Sequence, residues 1–399
     1  MSRLKHLLMA ATIVAAAASP ALSADAPMKG AKIVVTYKDD IATLDPAIGY
    51  DWQNWSMISA MFVRLVDYKP GTAELYPSLA ESFDISPDGK TYTFKLRKGV
   101  KFTNGREIVA DDVKFSIERA VNPKTQGPGG GFFHSIDGAD AVTAGKADTI
   151  SGIEVVDPAT VRFHLTQPDA TFLNVLALNF ASVVPKEVVA AEGADFGKKP
   201  VGAGAFILKE WVSGQRLVFE RNPDYFHKDA PLIDGYTVEV GQEPMVALLR
   251  LKKGEVDIAG DGIPPAQYLE MKNSPDYAGM IVDHDQLETS YITINTTMKP
   301  FDNVKVRQAI NMAINKERIV RIINGRATAA SQILPPSMAG YDPGYKGYPF
   351  DPAKAKALIA EAGYPNGFST ELYAMNADPN PRIAQAIQQD LATVGIKAE

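Results

Sequence analysis

The chain has 399 residues, with 41 basic and 47 acidic side chains, a net charge of −6 and no cysteine. That mild acidity argues against nucleic acid as a partner, and the missing cysteine excludes disulfides and lipid attachment through an N-terminal cysteine. A chain this long suggests two or three domains and buries a core large enough to do without covalent staples.

The first stretch reads as an export signal. Arg3 and Lys5 form a basic start, Leu7–Ala18 is apolar, and Ser19–Ala24 is mostly small, so cleavage is expected before Asp25 or after Ser23. The apolar run of 12 residues is short of the ~20 needed to span a bilayer. Losing Arg3 and Lys5 with residues 1–24 takes the net charge from −6 to −8. The expected location is the periplasm, as a soluble monomer that is not a lipoprotein.

Lys32–Tyr37 is an apolar, β-branched strand. A turn at Thr43-Leu44-Asp45-Pro46 leads into Tyr50-Asp51-Trp52-Gln53-Asn54-Trp55 and a helical stretch ending at Leu65–Tyr68. Two of the three tryptophans lie here beside Asp51, Gln53 and Asn54. Aromatic faces next to polar groups suit a peptide side chain, an amine or a sugar ring.

The segment from Leu79 to Arg119 is the most patterned. Tyr92, Phe94 and Leu96 alternate with Thr93, Lys95 and Arg97, the period of a half-buried strand. Ser86-Pro87-Asp88-Gly89 is a turn that pairs Phe83–Ile85 with Tyr92–Leu96. After a second turn at Asn104-Gly105 the period becomes 3.6, with Val113, Ser116, Ile117 and Ala120 on one face of a helix capped by Asp111.

Gln126–Gly131 is glycine-rich but lacks the GK[ST] ending of a phosphate loop, so a flexible loop is expected. A second hairpin joins Ile153–Val156 to Val161–Leu165. Asn179–Pro185 is apolar apart from Asn179 and Ser182, and Pro200–Phe206 contains Gly202 and Gly204, whose backbone freedom is read as structural. Glu243–Lys253 is a helix stopped by Gly254, and Tyr291–Asn295 a strand. Helices follow at Asn303–Ile314, Lys316–Asn324 and from Asp351-Pro352 to Gly363. Phe368–Met375 reads as a strand, followed by a helix with Ile383, Ile387, Leu391 and Val394 inward, and Gly395–Glu399 begins another strand.

Signals for catalysis are absent. His134, His164, His227 and His284 are far apart in sequence, with no H-x-x-x-H spacing, so neither a metal site nor a cofactor is expected. There is no G-x-S-x-G, P-loop or G-x-G-x-x-G opening a helix. Binding rather than catalysis is the expected activity.

The order of residues in LAESFDISPDGKTYTFKLRKGVKFTNGREIVADDVKFSIER, with PFDNVKVRQAINMAINKERIV and GYPNGF, closely resembles the family 5 extracytoplasmic solute-binding proteins of ABC importers. The resemblance covers most of the chain. It departs at Val109, where members usually carry Thr or Ser, and at Ala203 and Ala205, where PVGTGPY is usual. It implies an α/β, two-lobed periplasmic-binding-protein fold of the type II, cluster C kind, with mixed sheets and a ligand cleft. Residues 25–71 and 179–286 would form lobe one, 72–178 an extra subdomain, and 287–399 an incomplete lobe two, so that a fragment is expected.

The implied function is periplasmic capture of a small solute, in most members short peptides, and its delivery to inner-membrane permease subunits served by separate ATPase subunits. An exported hydrolase of peptides or glycans stays open as an alternative, as does a binding protein for an opine, an oligosaccharide or a metal chelate. Candidate ligand residues by position are Tyr50, Asp51, Trp52 and Gln53, Asn179 and Phe180, Thr289 and Tyr291, and Met375, Asn376 and Asp378. The last group lacks the arginine that meets a peptide carboxylate in some members, although Arg382 is near.

Overall fold

The computed structural model describes residues 30–399 except positions 278, 284, 285, 339 and 377. The expected export signal at 1–24 and His284 lie outside the described residues. Contacts divide the chain into one unit running up to Glu243 and including Lys253–Gly260, and another made of Pro244–Lys252 and Asp261–Glu399.

In the first unit the elements are β1 (Lys32–Thr36), α1 (Trp52–Met61), β2 (Val66–Tyr68), β3 (Leu75–Pro77), β4 (Ala80–Ile85), β5 (Thr91–Leu96) and α2 (Ala110–Val121). They continue with α3 (Ala139–Thr143), β6 (Ile153–Asp157), β7 (Thr160–His164), α4 (Phe172–Leu176), α5 (Lys186–Glu192), β8 (Phe206–Val212), β9 (Arg216–Arg221) and β10 (Gly235–Glu239). α6 (Pro244–Lys252) belongs to the second unit, and β11 (Ile258–Ala259) returns to the first.

A five-stranded sheet, ordered β11-β1-β10-β9-β8, carries the first core. β1 runs parallel to β10 and β11, whereas β9 is antiparallel to both β10 and β8. Leu44, Met57, Ile58, Phe62, Phe219 and Val238 fill the space between this sheet and α1. A four-stranded antiparallel sheet, β4-β5-β7-β6, carries the second core together with α2. Its alternation is as expected: Tyr92, Phe94 and Leu96 are buried, Lys95 is exposed, and Phe94 stands opposite Val161. The inward face of α2 is Val113, Ser116, Ile117 and Ala120, also as expected.

Four local expectations are corrected. Asp111 does not cap α2; it is exposed, and the Val109 N–H donates instead to the Asp112 carboxylate three residues on. This is the inner half of a capping box, working without the usual Ser or Thr at the cap position. α1 stops at Met61 because the Gly204 N–H takes the Met61 carbonyl at 2.8 Å, and Val66–Tyr68 leaves to pair with Leu75–Pro77. Tyr291–Asn295 joins no sheet among the described residues. Ile292 and Ile294 pack inward, yet alternation alone does not make a strand without a neighbouring backbone. The expected strand Phe368–Met375 is also shorter, ending at Thr370.

The remaining elements of the second unit are α7 (Pro265–Asn273), α8 (Val304–Ala313), α9 (Lys316–Ile322), α10 (Pro352–Glu361), β12 (Phe368–Thr370), α11 (Asn380–Thr393) and β13 (Ile396–Ala398). Val306, Ala309, Ile310, Ile359, Ile387, Leu391 and Val394 form its core, and β12 pairs parallel with β13. Asn303, Asn315 and Asp351 each cap a helix through the side chain.

Candidate binding surface

The segment before α1 is fixed by a buried ion pair. Asp45, 3% exposed, accepts two bonds from the Arg119 guanidinium of α2, one at 2.7 Å, and a third from the Ala47 N–H at 3.0 Å. From this anchor the chain runs through Gly49 and Tyr50 to Asp51. The Asp51 carboxylate accepts the Asn54 N–H at 2.7 Å and starts the helix.

The aromatic side chains then sort by depth. Phe180 is buried at 1% exposure, with Trp55 edge-on to it at 5.5 Å and Tyr50 tilted over it at 5.3 Å. Phe132 stacks on Phe180 from another side at 5.7 Å. The Trp55 indole N–H donates to the Gly49 carbonyl at 2.9 Å, locking the approach to the helix. Trp52 rests edge-on against Tyr37 at 5.2 Å. It stays 55% exposed and Tyr50 56% exposed, so both present ring surface to solvent beside Asp51. Gln53 is half-buried.

Asn179 and Phe180 lie beneath this surface rather than on it. The Asn179 carbonyl accepts from the Ser59 hydroxyl at 3.0 Å and from Arg64, and its amide donates to the Trp55 carbonyl at 3.1 Å. In the second unit, Thr289 is half-buried, and Tyr291, Met375, Asn376 and Asp378 are exposed. Asp378 is engaged by Arg382, whose Nε and Nη2 donate to its two oxygens at 2.7 and 2.9 Å.

The described histidines form no cluster. His164 meets Glu154 at 3.1 Å, and that hydrogen bond holds the Glu154 carboxyl below its usual range. His227 lies against Phe226 at 4.2 Å, and burial lowers its pKa, with Arg97 adding to the effect. No group of three metal-binding side chains occurs among the described residues.

Sequence reasoning passed over Arg64, Phe132 and the Asp45–Arg119 pair. The signal for Arg64 was present: it is the only charge in the apolar run Met61–Val66. Phe132 followed a run of glycines that composition alone marks as a loop.

A family model described as bacterial extracellular solute-binding proteins, family 5 Middle, matches residues 74–399. The dipeptide-binding protein of Escherichia coli K12 is 37% identical over 363 residues, covering 85% of this chain and 65% of its own length. The chain thus spans about two-thirds of the length of such curated relatives. Among solved structures, the periplasmic binding protein DppA from Helicobacter pylori, in complex with peptide STSA, superposes with a TM-score of 0.80 at 32% identity. That likeness covers 94% of this chain and 74% of the other. The binding protein AgaA from A.tumefacien R10, in complex with agropinic acid, gives a TM-score of 0.78 at 30% identity, over 92% and 72% of the two chains.

Proposed function

This chain belongs to the bacterial extracellular solute-binding proteins of family 5 and has their mixed α/β periplasmic-binding-protein fold, and from that premise we propose that it is the substrate-binding component of an ABC importer. It captures short peptides in the periplasm and delivers them to an inner-membrane permease. The observation that carries the peptide assignment is the likeness, over 94% of the chain, to a structure solved with a bound peptide.

The surface at Tyr50–Gln53 supports this reading physically. Two exposed rings beside a carboxylate suit an apolar side chain and an ammonium group, which an aromatic face also attracts. We read the protein as a receptor and not a hydrolase. Its relatives are binding proteins of transporters, and ATP hydrolysis belongs to separate subunits. A second reading, an opine as ligand, is supported by the AgaA complex.

The test is mass spectrometry of what co-purifies with the chain, followed by thermal shift with the compounds found. A mixture of short peptides, stabilising by about 2.7 kcal/mol at 100 times Kd, is the expected result. A single opine, sugar or metal chelate would change the ligand class. Steady turnover of a peptide would replace the receptor with an enzyme.

A further inference from the structure

Arg64 follows α1, and its side chain is 4% exposed, a costly place for a charge. Its guanidinium donates to the Asp67 carboxylate of β2 and to the Asn179 side-chain carbonyl, while its Nε finds no partner among the described residues. Asn179 in turn holds α1 at two points, through the Ser59 hydroxyl and the Trp55 carbonyl. Trp55 then bonds Gly49 through its indole and packs on Tyr50. A continuous chain of hydrogen bonds and one ring contact therefore runs from Asp67 to the exposed Tyr50 and the helix start that bears Trp52.

An ion pair with a buried guanidinium and an unsatisfied donor is a poor device for stability, since apolar replacement of both partners is often neutral or better. It is a good device for orientation, because a guanidinium fork fixes the angle between the groups it joins. We infer that Arg64 is a positioning residue for ligand: acting through Asn179, it sets the pose of the Gly49–Gln53 segment without touching what binds there. This rests on the reading above that Tyr50–Gln53 forms part of the binding surface.

The experiment uses the whole chain labelled with 5-fluorotryptophan, in which Trp52, Trp55 and Trp211 give three fluorine resonances assignable by single Trp→Phe changes. In Arg64→Leu the Trp52 and Trp55 resonances should move and that of Trp211 on β8 should stay, while Tm falls because Asp67 and Asn179 lose a partner. Affinity for the dipeptide Ala-Leu should fall about tenfold. Arg64→Lys, which keeps the charge and loses the fork, should recover only part of that affinity.

Should Arg64→Leu fail to fold, Asn179→Asp tests the same link by removing the donor to the Trp55 carbonyl, with the same resonances expected to shift. Unmoved Trp52 and Trp55 resonances, or full affinity in Arg64→Leu, overturn the inference. If the unsubstituted chain binds no Ala-Leu, the peptide reading loses that support, and the resonances alone decide the role of Arg64.

Discussion

Asp112 illustrates how a single carboxylate can hold a helix start that lacks an ordinary cap. Its side chain is nearly buried and accepts the Val109 N–H at 2.9 Å together with two bonds from Arg106, at 2.9 and 2.7 Å. Arg106 also reaches Glu187 of α5 at 2.7 Å, so the clamp ties the second turn, α2 and α5 into one piece. Replacing Asp112 by Ala removes the cap and both of its bonds to the Arg106 guanidinium. A loss of about 2 kcal/mol is expected, read as a lower urea midpoint with unchanged slope. Asp111→Ala, at the exposed neighbour, should stay within about 0.5 kcal/mol. Charge patterning placed an acid in this first turn, but only the backbone trace tells which of two adjacent aspartates points at the Val109 N–H.

Among the elements, the stretch Gln126–Gly131 departs furthest from its composition. Read as a flexible loop, it is instead packed at two points. A β-carbon on Gly127 would lie 2.0 Å from the Ala47 carbonyl oxygen, and one on Gly129 would lie 2.6 Å from the Phe180 ring. These glycines are there for space, and they let Phe180 sit under Tyr50 and Trp55. Gly131 meets nothing within 4 Å of such a carbon. Gly129→Ala should therefore cost about 1–3 kcal/mol and disturb tryptophan fluorescence, whereas Gly131→Ala should be near neutral. Equal effects in thermal melts would refute the packing argument. Gly202 and Gly204 follow the same logic against the end of α1, where added carbons would lie 2.1 Å from the Met61 carbonyl oxygen and 2.4 Å from its carbon. The sequence marked these two as structural, but for their freedom of rotation, when what matters is close approach.

For the molecule as a whole, one half-buried imidazole should shape the pH dependence of stability. Partial burial holds the His227 pKa below its ordinary value, and its Nε2 has no hydrogen-bond partner among the described residues. The unfolded chain, with a histidine pKa of about 6.5, then binds more protons than the folded one. Stability is intact above that pH and is lost as pH falls toward the lower folded value. Tm should drop between pH 7.5 and 5.5, and by less in His227→Phe; identical slopes in both would exclude this cause.

From its residues alone this chain declared its family, its alternating and helical segments, and the stretch Tyr50–Gln53 as a candidate surface. Those are properties of local order: the period of two at Tyr92–Leu96, the period of 3.6 in α2, the turn residues between them. Tertiary structure decided the rest. It put Asn179 and Phe180 under the surface, gave the cap to Asp112, left Tyr291–Asn295 outside any sheet of the described residues, and turned Arg64 from a stray charge into the centre of a buried network. Each depends on which distant backbone or side chain arrives as a neighbour, and burial, close approach and strand pairing are all set by that arrival.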